Sequence, residues 1–294
     1  MRIILVGALL GMIAAPLPVQ AKDAPAIALA RTTQWEMKYN PDSCQLIARF
    51  GGDLERMILV ITREQPSDYF DLELYGKALS DSGIDVPVEL TFGTNGALVK
   101  RDGVALTMSG GDKLPVIRIT GLRIDGLRDF KNPAAMPVLT PASEAQVTEI
   151  AFRKSGGKRY MFLTGSMAAP LAAMRACTTD LVKTWGYDPA VEERLSRHAM
   201  PTNGPARWLG TNDFPDKSWM AGHNGIVRFR LDLDSAGFPS GCRVLYRTNP
   251  DEFADLSCKL LLQRARFSPA LDAAGKPVKS YYINTIRWVA SGNW

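Results

Sequence analysis

The stretch RARFSPALDAAGKPV, residues 264–278, decides how the last third of the chain is read. Pro269 bars a preceding helix from continuing, and Phe267 is the aromatic that turns inward where that helix stops. Asp272 to Gly275 is a tight turn, and it launches a final strand in SYYINTIRWV, residues 280–289. Working backward, PDEFADLSCKLLLQRARF has helical spacing through Phe253, Leu256, Leu260 and Leu261, with Asp251 and Glu252 in the first turn, where acidic side chains suit the helix dipole. Further back, GIVRFRLDLD alternates strictly. Val227, Phe229, Leu231 and Leu233 fall on one face, and Arg228, Arg230, Asp232 and Asp234 on the other, as in a half-buried strand. SAGFPSG turns the chain, and Cys242, Val244 and Tyr246 continue the inner face of a second strand. The predicted order is therefore helix or loop, strand, strand, helix, strand.

Upstream the pattern differs. From residue 33 to about 130 short strand signals recur: RMILVITRE, YFDLELYG, VPVELTFG, GVALTMSG and PVIRITGL, separated by turn residues. Residues 147–164 predict a hairpin around Ser155-Gly156-Gly157. Met167, Leu171, Met174, Cys177 or Thr178, Leu181 and Trp185 then recur at three-to-four spacing, the stripe of an amphipathic helix closed by Gly186. Turn-formers around the short polar segment AVEERLSRHAM mark residues 187–206 as a linker. The expected fold class is α+β. A β-rich domain over 22–186, a sandwich or small barrel ending in one helix, precedes a module of helices on a small antiparallel sheet over 207–294.

The chain of 294 residues is 46% hydrophobic and 22% charged, which excludes a disordered or wholly membrane-embedded protein. Arg2, the apolar run from Ile3 to about Ala15 and Val19-Gln20-Ala21 read as a signal peptide over residues 1–21, cut after Ala21. About 13 to 15 apolar residues fall short of a span. The four cysteines of an exported chain favour bridges, and of the three pairings they allow, one per domain pairs Cys44 with Cys177 and Cys242 with Cys258. His198 and His223 have no metal-ligand spacing, and no Gly-rich phosphate loop occurs, so no metal and no cofactor are expected. The net charge of +5 comes from dispersed basic residues concentrated toward the C-terminus, which argues against nucleic acid and leaves an acidic partner or an anionic polymer such as peptidoglycan.

Taken together, Asp213-Phe214-Pro215, Gly222, Gly225-Ile226-Val227, Asp234 with Gly237, Cys242 to Val244, RARFSPA and DAAGKPV make residues 208–289 resemble the TonB C-terminal domain family. The resemblance implies two helices packed on a small antiparallel sheet, and binding of an extended peptide from an outer-membrane receptor by strand addition beside the last strand. It therefore assigns partner binding to Tyr281, Tyr282, Ile283, Asn284, Thr285, Ile286 and Arg287, with Tyr282, Asn284 and Arg287 facing the partner. A full energy transducer of that family carries a membrane anchor and a long Pro-rich spacer. Here a short cleavable signal and a Cys-containing domain stand in their place, so the resemblance supports a periplasmic, non-enzymatic binding protein that meets membranes only through partners. Transduction with an uncleaved anchor is the alternative. Residues 160–177 are also similar in outline to the invasion-associated locus B family of exported β-rich proteins, a likeness too short to assign a role. A second alternative is enzymatic: Asp81-Ser82-Gly83 has the form found in aspartic proteases, whose paired carboxylates share one proton.

Overall fold

A computed structural model describes residues 25–53, 55–80, 85–107, 114–129, 136–204, 207–248 and 250–290. The predicted signal peptide and Asp81-Ser82-Gly83 lie outside the described residues.

Ten strands form one curled sheet. They are β1 (Ile27–Ala30), β2 (Glu36–Asn40), β3 (Ser43–Phe50), β4 (Met57–Arg63), β5 (Tyr69–Tyr75), β6 (Asp85–Phe92), β7 (Val99–Thr107), β8 (Pro115–Arg123), β9 (Ile150–Lys154) and β10 (Arg159–Leu163). Their order across the sheet is β1-β10-β9-β6-β7-β8-β5-β4-β3-β2. Every pairing is antiparallel except β1 with β10, where Ile27 lies opposite Tyr160 and Ala30 opposite Leu163. The sheet bends back on itself until the chain after β1 meets the end of β3. There Thr32 N–H donates to the Arg49 carbonyl (2.8 Å) and Gly51 N–H to the Ala30 carbonyl (2.9 Å).

Period-two alternation sends Cys44, Leu46, Ala48 and Phe50 of β3, and Val86, Val88, Leu90 and Phe92 of β6, into one interior. The short α1 (Pro141–Ala145) precedes β9, and α2 (Ala168–Thr184) adds Met167, Leu171, Met174, Cys177 and Leu181 to the same core. Each such side chain contributes roughly 1.5–3 kcal/mol by leaving water. Gly186, at φ 84°, ends α2. The Tyr187 N–H reaches back to the Val182 carbonyl (3.2 Å) and the Gly186 N–H to Lys183 (2.9 Å), a Schellman closure that a residue with a Cβ adopts only under strain. A disulfide joins Cys44 to Cys177, with Cα atoms 6.1 Å apart, and fastens α2 to β3.

The C-terminal unit is built on β12 (Gly225–Leu233), with β13 (Pro239–Arg247) and β17 (Ser280–Trp288) antiparallel on either side. Helix α5 (Glu252–Arg264) covers one face of this sheet, and the Cys242–Cys258 disulfide ties it to β13, with Cα atoms 5.5 Å apart. Val227, Phe229, Leu231 and Leu233 bury beneath α5 with Trp208, Phe253, Leu261, Phe267 and Trp288. The stretch that opened the sequence reading runs as α5 to Arg264, then β14 (Phe267–Ser268), β15 (Ala270–Leu271) and β16 (Pro277–Val278). Asp272 Oδ1 accepts the N–H groups of Ala274 and Lys276 (both 2.9 Å), which closes the turn that delivers the chain to β17. Residues 187–204 contribute α3 (Pro189–Glu192) and β11 (Met200–Pro201). Strand β11 pairs with β14, and Ala199 enters the core beneath Phe267 and Trp208.

The expected α+β class, with a TonB-like module of two helices on a sheet, is corrected by this architecture. Among the described residues 42% lie in strands and 21% in helices, and a ten-stranded mixed sheet accompanied by small sheets dominates, with five helices. The cause is local. Pro215 and Gly222, the latter at φ 64°, bracket the segment before β12, so α4 (Asp216–Met220) is a single turn and only α5 is a helix of substance in the C-terminal unit.

Candidate functional site

The two faces of β12 serve two neighbours. Its odd-numbered apolar residues lie under α5. Its even-numbered Arg228 and Arg230 face the outer surface of the curled sheet, where β5 and β8 present Asp71, Glu73, Tyr75 and Arg118. Arg118, only 6% exposed, pairs with Glu73 (2.7 Å) and Asp71 (2.8 Å) and lies 3.9 Å from Glu64. Arg228 Nε donates to Glu64 Oε2 at 2.7 Å. The Tyr246 ring of β13 sits over the Arg118 guanidinium, 3.9 Å from carbon to ring centroid. The Tyr75 hydroxyl donates to Glu73 (2.6 Å), and the Gly121 N–H donates to Asp71 (3.0 Å).

Burial opposes the charge on Arg118, yet Asp71, Glu73 and Glu64 together hold its pKa above the ordinary arginine value. Glu64 is pushed the other way for a carboxyl. Burial raises it, Asp71 adds to the rise, and Arg228 and Arg118 only partly offset them. A carboxyl whose folded pKa exceeds its unfolded one favours the folded state most at acidic pH, and that contribution is lost as the pH rises through the raised value. Glu64→Gln removes this ionisation. Its stability relative to the parent should therefore improve as the pH is raised from about 5 to about 8, read from denaturant midpoints, and a pH-independent difference would contradict this placement.

A second set of contacts holds the other end of β17. Arg230 bonds Asp42 (3.2 Å) and Asp232 (3.0 Å) and lies 4.1 Å above the Trp185 ring. Tyr281 packs edge-on against Trp185 (5.2 Å between centroids) and beside Tyr187 (5.3 Å), whose hydroxyl donates to Asp232 (3.0 Å). At the far end Arg287 approaches Asp85 at 3.4 Å.

Between these anchors β17 has one edge unpaired among the described residues, since it is the last strand of its sheet. The Ile226 N–H and carbonyl both bond toward β13, through the Thr248 hydroxyl (2.9 Å) and N–H (3.0 Å). The alternation of an antiparallel ladder then gives the odd-numbered residues of β12 to β17, where they pair with Tyr282, Asn284, Ile286 and Trp288. The backbone groups of Tyr281, Ile283, Thr285 and Arg287 therefore point outward from the sheet. Asn284 Oδ1 already accepts the Thr285 N–H (2.8 Å).

Three cavities follow β17 along this side. One of about 410 Å³ lies at Tyr281, bordered by Arg175, Glu192 and His198. One of about 540 Å³ lies at Ile283 to Thr285, floored by Glu64, Asp71, Thr120 and Arg228. One of about 280 Å³ runs from Thr285 to Arg287, bordered by Asp85, Asp102 and Arg118. The first two share Ser67, and the last two share Asp71, Thr120, Arg228 and Thr285, so they are stages of one cleft.

Of the residues assigned to partner binding from sequence, Tyr281, Ile283, Thr285 and Arg287 lie on the cleft side. Tyr282 is turned toward α5, packed against Phe267 (4.9 Å) and Trp208 (6.0 Å), and Ile286 packs in the same interior. Asn284 donates to the Tyr282 hydroxyl (2.6 Å) and borders the middle cavity. The charged floor of Glu64, Asp71, Glu73 and Arg118 is absent from the sequence-based assignment. Its signal was the placement of Asp71 and Glu73 at alternate positions of an otherwise apolar strand. Among the described residues no group of His, Cys, Asp or Glu is arranged to hold a metal ion, and no helix is long and apolar enough to cross a membrane. His223 lies 3.4 Å from the Ser218 hydroxyl, away from the cleft. No family model, no curated protein and no solved structure matches the chain.

Proposed function

We propose that this is a periplasmic binding protein that takes an extended segment of an envelope partner as a fourth strand beside β17. The observation that carries the reading is the outward backbone of Tyr281, Ile283, Thr285 and Arg287 opening onto a cleft that runs the length of the strand. An unpaired edge offers donors and acceptors that any extended peptide meets, while side chains alternating into the cleft set preference. Two disulfides fit an oxidising compartment outside the cytoplasm, and the resemblance of residues 208–289 points to a partner of the outer-membrane receptor kind.

The ladder parity supplies a test. Ile283→Pro removes an outward N–H and leaves the bonds to β12 intact, so the fold should survive with less than about 1 kcal/mol lost. Asn284→Pro removes a bond to β12 and strands the Phe229 carbonyl, at a cost on the order of 2–3 kcal/mol. A photo-reactive residue at 285, in protein made in a Gram-negative host, should cross-link one extended segment of an envelope protein, and Ile283→Pro should abolish that product. Absence of the product, or its persistence in the proline variant, refutes strand addition.

A further inference from the structure

We infer that the C-terminal unit swings about Gly186 and that the Asp85–Arg287 pair is the clasp closing the cleft at its far end; the role given to this motion, admitting the partner strand, rests on the strand-addition reading. The described chain passes from one unit to the other once, at Gly186–Tyr187. Gly186 holds φ 84°, and the space a Cβ would enter there has no atom within 4 Å. Glycine turns in that region of the backbone without steric cost.

The two units keep separate interiors. Among the described residues, every member of the first core precedes Gly186, and every member of the other two follows it. What meets between the units is charged or aromatic: Arg228 with Glu64, Arg118 with the Tyr246 ring, and Arg230 with Asp42 and Trp185. The three cavities lie in the same seam. Units that meet through such a face move relative to one another, whereas a large apolar interface would hold them. A buried ion pair gives back little more than the hydration its charges lost. Parting Arg228 from Glu64 as water enters is therefore far easier than parting apolar surfaces.

The two ends of the seam are held unequally. Beside the hinge, Tyr281 rests on Trp185, Lys279 donates to the Gly186 carbonyl (2.9 Å), and Asp42 takes both Arg230 (3.2 Å) and Arg243 (3.7 Å). At the far end Asp85 meets Arg287 at 3.4 Å, with both side chains 60% exposed. From Tyr281 to Arg287 the strand is a lever of about 20 Å, and a swing of roughly 20° carries its tip about 7 Å, enough to let the side chains of an arriving strand into the cleft. An exposed pair is screened by salt and holds lightly, so ionic strength sets how far the cleft stays shut.

The test uses the full disulfide-bonded chain without peptide, carrying spin labels on introduced keto side chains so that no thiol is added. Labels at Lys77 and Ala221, both exposed, span the far end, and labels at Tyr39 and Ala236, both exposed, span the hinge end. Raising the ionic strength from about 0.02 to about 0.5 M should lengthen the far-end distance and leave the hinge-end distance fixed. Asp85→Lys sets two cations face to face and should lengthen the far-end distance already at low salt. The swapped pair, Asp85→Lys with Arg287→Glu, should bring it back. Both positions are exposed, so these substitutions leave the fold intact. In the Asp85→Lys variant the cross-link from position 285 should rise several-fold, since the open state is the one that admits the strand.

A far-end distance unmoved by salt and by Asp85→Lys overturns the hinge. Lengthening of both distances also overturns it, as outright separation of the units. Opening that the swap does not reverse overturns the clasp. An unchanged cross-link yield in the open variant overturns the gating role, while no cross-link in any form refutes strand addition and leaves the hinge standing.

Discussion

Replacing Cys44 and Cys177 together by alanine is expected to cost about 4–5 kcal/mol of stability. The two cysteines are 133 residues apart in sequence, and closing so long a loop removes much of the unfolded chain's freedom. Domains are stable by roughly 5–15 kcal/mol, so this is a large share of the whole. The Cys242–Cys258 bridge, 16 residues apart, should be worth about 3 kcal/mol. Urea midpoints of the two double-alanine variants decide the matter, and a smaller loss for the 44/177 pair than for the 242/258 pair would contradict the loop argument. The damage should also differ in kind. Loosening α2 frees Trp185, on which Tyr281 rests, so the 44/177 variant should disturb the cleft although no cleft residue has been changed.

Arg118→Ala is expected to cost about 3–5 kcal/mol, because it leaves Asp71 and Glu73 buried with no cation in contact and takes one of two from Glu64. The sign of its pH dependence follows. Removing Arg118 takes away one of the charges that hold down the raised pKa of Glu64, so the folded state gains relative stability at low pH and loses it as the pH rises through that value. The deficit against the parent should therefore be largest near neutrality and shrink on acidification. Adding Asp71→Asn and Glu73→Gln should restore most of the loss and flatten the profile. A variant whose deficit is the same at acidic and neutral pH, or one not rescued by the neutral partners, would show that these charges are not coupled as the distances imply.

Much of the local structure was legible because each strand's alternation reports its own two faces. GIVRFRLDLD places four apolar residues under α5 and turns its arginines away, and the turn at Asp272 to Gly275 falls where its residue types require. Both disulfides follow from placing one bridge on each side of the polar segment that begins at Tyr187. Alternation does not say which strands are neighbours. Nothing in Ile27-Ala28-Leu29-Ala30 announces a strand, yet it closes the sheet against β10, and β5 finds β8 across an intervening hairpin. The charged floor was hidden for the same reason. Asp71 and Glu73 point outward from β5, which in an isolated sheet means solvent, and only the docking of β12 and β13 buries them. The class expectation failed where the resemblance implied a second helix, since Pro215 and Gly222 around Asp216–Met220 allow one turn and no more.

The parallel seam of β1 with β10 sets a timetable. A chain that enters its compartment N-terminus first delivers Ile27–Ala30 long before Arg159–Leu163, so the earliest strand waits for the latest before the sheet can shut. During that wait Cys44 is the lone thiol of the growing chain. Cys177 arrives next, on the helix that follows β10 directly, and Cys242 and Cys258 come only afterward. Oxidation in order of arrival would give the two pairs observed, Cys44 with Cys177 and Cys242 with Cys258.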